Sequence, residues 1–147
     1  MVGLGRPIGY AGAVVSVQAS AMPRFSANIS MLFHEVELAE RMRAARRAGF
    51  DAVEVQFPYA IAVEDWLDAK RRTRMRIALF NIPAGDFTGG GPGLAAVPGR
   101  ERAFHDAVST AARYAETLKP AVVNVLPGAP PGEFGRERCM ATLAANL

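Results

Sequence analysis

Four times along this chain, a short run able to form a strand is followed by a segment whose apolar residues recur at helical spacing. Arg24 to Ser30 (RFSANIS) precedes Glu35 to Ala48, where Leu38, Met42 and Ala45 fall on one helical face before Gly49. Asp51 to Phe57 (DAVEVQF) precedes Val63 to Arg72, centred on Trp66 and Leu67. Met75 to Ile82 precedes a helix predicted from about Arg100 to Lys119, with Phe104, Val108, Ala111, Ala115 and Leu118 on one stripe. Ala121 to Leu126 precedes a helix predicted from Arg136 to Leu147. Strands that alternate with helices imply a parallel α/β sheet with right-handed crossovers.

The polar residues of the strands narrow this further. A parallel strand covered by helices on both faces is apolar throughout. Here Val53, Val55 and Phe57 oppose Ala52, Glu54 and Gln56, and Phe25, Ala27 and Ile29 oppose Ser26, Asn28 and Ser30. Asn81 and Asn124 add an amide near the ends of the third and fourth strands. One apolar and one polar face fit a barrel, with helices outside and a lumen inside. A complete (β/α)8 barrel takes about 250 residues, whereas Met22 to Leu147 holds about four βα units and stops at ATLAANL without a helix-ending signal. The expected fold is therefore the N-terminal half of a (β/α)8 TIM barrel, truncated in the fourth helix. Its first and fourth strands would be open edges, a route to homo-oligomers.

Bulk properties set outer bounds. Of the 147 residues half are hydrophobic, enough for one core and one domain. The net charge of +3 comes from runs such as Arg41 to Arg47 and Lys70 to Arg76. These lie in amphipathic segments with no interleaved aromatics, so they are expected to be solvated helix faces and not a nucleic-acid surface. The single Cys139 has no partner for an internal disulfide and suits a reducing, cytoplasmic setting. Residues 1–21 imitate a secretory signal, with Arg6, a short apolar stretch and an A-S-A ending, but Gly12 and Ser16 break the apolar core. They are expected to be a leader or mis-started extension, poorly ordered, with Met22 as the working start and residues 22–147 as the partial barrel. No stretch reaches the roughly 20 apolar residues of a membrane span, so no membrane partner is expected.

Five segments in order, MPRFSANISMLF (Met22 to Phe33), GFDAVEVQFPY (Gly49 to Tyr59), LFNIPAGDF (Leu79 to Phe87), GLAAVPGRE (Gly93 to Glu101) and ATLAANL (Ala141 to Leu147), resemble the hydroxypyruvate isomerase family of xylose-isomerase-like TIM barrels. The resemblance implies interconversion of hydroxypyruvate and tartronate semialdehyde, or of a related 2-oxo-tetronate, through an enediol. That chemistry uses a carboxylate base and a divalent cation, Mg²⁺ or Mn²⁺. In the family the catalytic glutamates and metal ligands lie on later strands, so no catalytic or metal residue, no bound cofactor and no activity are expected of this chain alone. The small hydroxy-oxo acid substrate belongs to the full-length enzyme. The family pattern also carries an acidic residue after FPY, where this chain has Ala60.

Four residues are candidates for substrate contact. Glu54 faces the expected lumen; partial desolvation would suit it to proton transfer, while its mid-strand position suits a structural carboxylate. Asn81 and Asn124 are placed either to touch substrate hydroxyls and carboxylate or to satisfy backbone groups. Asp86, just past the third strand, could orient substrate or cap a loop turn. His34 with Glu35, and His105, lack metal-ligand spacing and are expected at the surface.

Phe80 to Glu101 (FNIPAGDFTGGGPGLAAVPGRE) carries Gly89, Gly90, Gly91 and Gly93 too far from the next helix for a phosphate cradle, with no Lys beside them. It is expected to be a long loop on the active-site face whose glycines serve as hinges of a lid. Two other hypotheses compete with the isomerase fragment: a degenerate half barrel acting as a binding or assembly module, and a small doubly wound domain that binds a nucleotide phosphate.

Overall fold

The computed structural model describes residues 23–147; the expected leader, residues 1–21, lies outside the described residues. Four parallel strands, β1 (Ala27–Asn28), β2 (Ala52–Glu54), β3 (Arg76–Asn81) and β4 (Val122–Asn124), stand side by side in the order β1-β2-β3-β4. Each is followed by a helix: α1 (Leu38–Arg47), α2 (Val63–Thr73), α3 (Glu101–Leu118) and α4 (Arg136–Asn146). Strand order equal to chain order means that the connections never reverse. A doubly wound sheet requires such a reversal at its ligand-binding crevice, so this arrangement is the four-unit half of a TIM barrel.

The helices follow their local sequence. α1 carries Glu40 in its first turn and Arg46 and Arg47 in its last, and α2 carries Glu64 and Asp65 first and Lys70, Arg71 and Arg72 last. Both arrangements complement the helix dipole. Gly49 sits at φ +93, where a side chain is disfavoured, and lets the chain turn out of α1 so that Phe50 N–H donates to Ala45 O at 3.1 Å. α1 starts at Leu38, three residues later than expected, after a turn in which Phe33 adopts φ 63.

The outer face of the sheet meets the helices. Ala27, Ile29, Val53, Val55, Ile77 and Phe80 pack against Met42, Ala45, Trp66, Ala111 and Leu118 in one buried cluster. Phe25, expected on this face, precedes β1 and is exposed. The β2–β3 register moves from Val53↔Ile77 to Glu54↔Leu79, which makes Ala78 an extra residue, a β-bulge. Because side chains alternate with period two, the bulge swaps the faces of everything beyond it. Ile77 and Phe80, three apart, thus both reach the core, and Asn81 turns inward beside Asn124.

A second cluster seals the far end of the sheet. Leu94 and Ala95, from the loop after β3, pack with Phe104 and Ala107 of α3, and with Ile82, Val108, Val125 and Leu143. Among the described residues, no helix is long and apolar enough to cross a membrane.

Candidate functional site

The inner face of the sheet carries two side-chain pairs. On adjacent strands Asn28 and Glu54 are register partners, and Asn28 Nδ2 donates to Glu54 Oε1 at 3.0 Å. Across the other half Asn81 and Asn124 are register partners, and Asn124 Nδ2 donates to Asn81 Oδ1 at 2.9 Å. Between the pairs the backbone continues the ladder past the formal strand ends. Ser30 Oγ accepts from Gln56 N–H at 2.8 Å, and Gln56 O accepts from Asn81 N–H at 3.0 Å. Three of the four expected site residues, Glu54, Asn81 and Asn124, therefore share one face.

Asn81 is only 6% exposed, the one polar residue in the buried class among those described. Its backbone is pinned: Tyr59 OH donates to Asn81 O at 2.7 Å, while the Tyr59 ring stands edge-on to Phe80 and Tyr114. Burial, and secondarily the neighbouring Tyr114 phenol, push the Tyr59 pKa above its ordinary value, so the hydroxyl stays a donor. Two more aromatic donors fix the same loop, Trp66 Nε1 to Pro58 O at 2.9 Å and Tyr114 OH to Ile61 O at 2.8 Å. Sequence reasoning passed over Ser30, Gln56 and Tyr59. The alternation in SANIS and VEVQF carried the signal for the first two, whereas the long-range bond of Tyr59 had none.

Asp86 stands apart from the inner-face pairs and organises its own loop. Its carboxylate accepts from Gly93 N–H at 3.0 Å and from Arg100 Nη1 through both oxygens at 3.0 Å, and Arg100 also donates to Gly93 O at 3.0 Å. The Arg100 guanidinium first, then the Gly93 N–H, hold its pKa below the usual carboxylate range. The rest of the loop differs from the hinged lid expected of it. Residues 93–98 are buried, and the segment is tied to the loop after β4 by Ala96 N–H to Pro127 O at 3.0 Å and Ala129 N–H to Pro92 O at 2.9 Å. Asn146 of α4 adds a bond to Ala95 O at 2.8 Å.

His34 and His105 are both exposed, as expected. Among the described residues, no three His, Cys, Asp or Glu side chains are grouped closely enough to hold a metal ion. Clefts of about 540 and 290 Å³ open at the N-terminal ends of the strands, lined by residues such as Arg24, Phe25 and Arg76. They lie opposite the amide-bearing end, and in parallel barrels it is the C-terminal end, where the loops after each strand converge, that carries chemistry.

Sequential parallel strands, an apolar outer face and a polar inner face define half of a TIM barrel whose loops after each strand form a mouth. The family model described as xylose isomerase-like TIM barrel matches residues 42–147, and the chain belongs to that family. Relatives in sequence carry isomerase names. The chain is 42% identical to the hydroxypyruvate isomerase of Escherichia coli, over 86% of this chain and 49% of that protein. It is 42% identical to the 2-oxo-tetronate isomerase of Cupriavidus necator (86% and 48%) and 45% identical to a putative hydroxypyruvate isomerase of Homo sapiens (83% and 44%). Among solved structures, one titled an AP endonuclease of family 2 from Brucella melitensis superposes with a TM-score of 0.80 at 38% identity, covering 85% of this chain and 48% of that one. The chain thus spans about half the length of the curated relatives it matches.

Proposed function

We propose that this chain is the N-terminal half of an isomerase that interconverts hydroxypyruvate and tartronate semialdehyde, or acts on a related 2-oxo-tetronate. The observation that carries the reading is the inward row of polar side chains, above all Asn81 with Asn124, in a chain whose relatives bear those isomerase names. The reaction removes a proton from the hydroxyl-bearing carbon, passes through an enediol, and returns a proton to the former carbonyl carbon. It needs a carboxylate base at the carbon acid and a cation to hold the enediolate oxygens.

The described strands do not supply that machinery. Their inner face offers one carboxylate, Glu54, already paired with Asn28, and neutral amides. A Mg²⁺ or Mn²⁺ ion takes several oxygen ligands with at least one or two carboxylates, and this donor set does not fit it. In the complete enzyme the base and metal ligands would come from the other half of the barrel, while Asn81 and Asn124 contact substrate. Asp86 would shape the mouth through its loop contacts. The single cysteine suits a reducing, cytoplasmic setting for such carbohydrate chemistry.

Two assays with hydroxypyruvate and Mg²⁺ or Mn²⁺ test this. The 147-residue chain alone is expected to form no tartronate semialdehyde, and turnover by it would overturn the claim of inactivity. Joined to the second half of the Escherichia coli relative, it is expected to regain turnover; a folded chimera that stays inactive removes the isomerase reading.

A further inference from the structure

The inner face holds a third amide. Val55 is buried in the core and Glu54 bonds to Asn28 on the inner face, so alternation places Gln56 inward, at the level where its carbonyl accepts from Asn81 N–H. Gln56 is partly exposed, and no hydrogen bond engages its side-chain amide among the described residues. Asn81 spends only Oδ1 on Asn124, and Asn124 spends only Nδ2. No fully buried side-chain nitrogen or oxygen lacks a partner among the described residues, so each of these remaining donors and acceptors keeps some contact with solvent.

The charge of this face is as informative as its amides. At the amide-bearing end its one acidic or basic residue is Glu54; Arg76, the register partner of Ala52, lies at the opposite end of β3. The nearby guanidinium groups are committed elsewhere: Arg41 donates to Ile29 O and Val36 O at 3.0 Å, and Arg100 is held by Asp86. A carboxylate is best recognised by a cation or a fork of charged donors, and a neutral amide offers the matched donor and acceptor that a hydroxyl wants.

We propose that Gln56 completes, with Asn81 and Asn124, a row of neutral amides that seats the hydroxyl-bearing end of the substrate and leaves its carboxylate directed away from these strands. The identity of the substrate rests on the isomerase reading above; the preference of the row for hydroxyl over carboxylate rests on its own residues. It makes Gln56 a specificity-determining residue, reading hydroxyls on the carbons farthest from the carboxylate.

The test uses the 147-residue chain itself, ¹⁵N-labelled, and follows the side-chain amide signals of Gln56, Asn81 and Asn124 by NMR. The probes are glycerol, glycerate and acetate, which separate hydroxyl from carboxylate on small skeletons. Glycerol and glycerate are expected to shift all three signals with affinities within about twofold of each other, because the carboxylate adds no contact here, and acetate is expected to shift none. Gln56→Met, of similar length but without the amide, is expected to abolish the shifts at Asn81 and Asn124 while the bond from Asn81 N–H to the backbone carbonyl at position 56 persists. If that variant fails to fold, the Gln56 signals of the unmodified chain decide alone. Shifts by acetate equal to those by glycerol, or no response to any probe, would overturn the proposal. The chimera assay reports separately, so an active chimera whose Gln56 ignores glycerol sinks only this inference.

Discussion

Asn124 of β4 donates its side-chain amide to the side-chain carbonyl of Asn81 of β3 at 2.9 Å, although the two residues are 43 positions apart in sequence. The contact exists because each residue ends its strand in matched register and because the bulge at Ala78 turns Asn81 off the core face. An amide pair at the mouth has two consequences. It satisfies a polar group that is almost fully buried, and it fixes which donors and acceptors remain for a ligand.

Breaking the pair should cost stability unequally. Asn124→Ala leaves the buried Asn81 Oδ1 without a donor and is expected to destabilise the chain by about 1–3 kcal/mol, the range for an orphaned buried polar group. Asn81→Ala removes the more buried partner and leaves Asn124 able to meet water, so it should cost less through hydrogen bonding and more through lost packing. Urea melts of both single variants and of the double variant form a cycle. A coupling near zero would show that the pair is not an energetic unit.

Tyr59 is the brace behind that pair. Tyr59→Phe keeps the ring contacts with Phe80 and Tyr114 and deletes only the bond to Asn81 O, so a loss of about 1 kcal/mol is expected. Trp66→Leu opens a void in a fully buried site and removes one of the two donors to Pro58 O, which keeps the Ile61 N–H, and should cost about 3 kcal/mol or more. Thermal melts that rank the two variants in the opposite order would contradict the assignment of Trp66 to the core.

How much of this was legible beforehand depends on the range of the interaction. The four βα units and their sequential order were readable because Leu38, Met42 and Ala45, or Phe104, Ala111 and Leu118, repeat at a spacing that only a helix satisfies. The polar inner face was readable from alternation in SANIS and VEVQF. The bulge at Ala78 was not, since strict period two puts Ile77 and Asn81 on one face and nothing local marks the extra residue. The brace from Tyr59 to Asn81 O and the clamp of Arg100 on Asp86 join residues 22 and 14 positions apart, distances at which sequence pattern carries no contact information. The glycine run misled for a related reason. Its flexibility is local, whereas the burial of Leu94 to Val97 comes from α3 and from the loop after β4.

The clamp on Asp86 makes a pH prediction with a definite sign. Its folded pKa lies below its ordinary value, so the unfolded chain takes up a proton first as pH falls. The stabilisation is therefore complete above the unfolded pKa, near pH 4, and is lost as pH falls through the lower folded value. Because the carboxylate is exposed, the effect should be local, seen as a lower protection factor of the Gly93 amide below about pH 4 before global unfolding. Asp86→Asn should show that lower protection already at neutral pH, with no further change in protection across this window. Equal protection of Gly93 in both proteins would separate Asp86 from loop order.

Two glycines of the mouth should respond oppositely to the same substitution. Gly128 lies at φ +89, and a Cβ built there falls 2.3 Å from Pro92 O, a backbone atom that also accepts from Ala129 N–H. Gly128→Ala must therefore push apart the two loops that Ala96 and Pro127 join, in addition to holding a side chain in a strained conformation, at an expected cost of about 1–3 kcal/mol. Gly89 has no atom within 4 Å of its would-be Cβ and no positive φ, so Gly89→Ala should be neutral or stabilise slightly, by restricting the unfolded chain. Denaturant midpoints of the two variants measure the difference. If both are tolerated equally, the loops after β3 and β4 move independently and the mouth is not the single packed rim that the bonds between them imply; if Gly128→Ala alone is costly, the rim is held by backbone contact and the glycines serve close approach and not hinge motion.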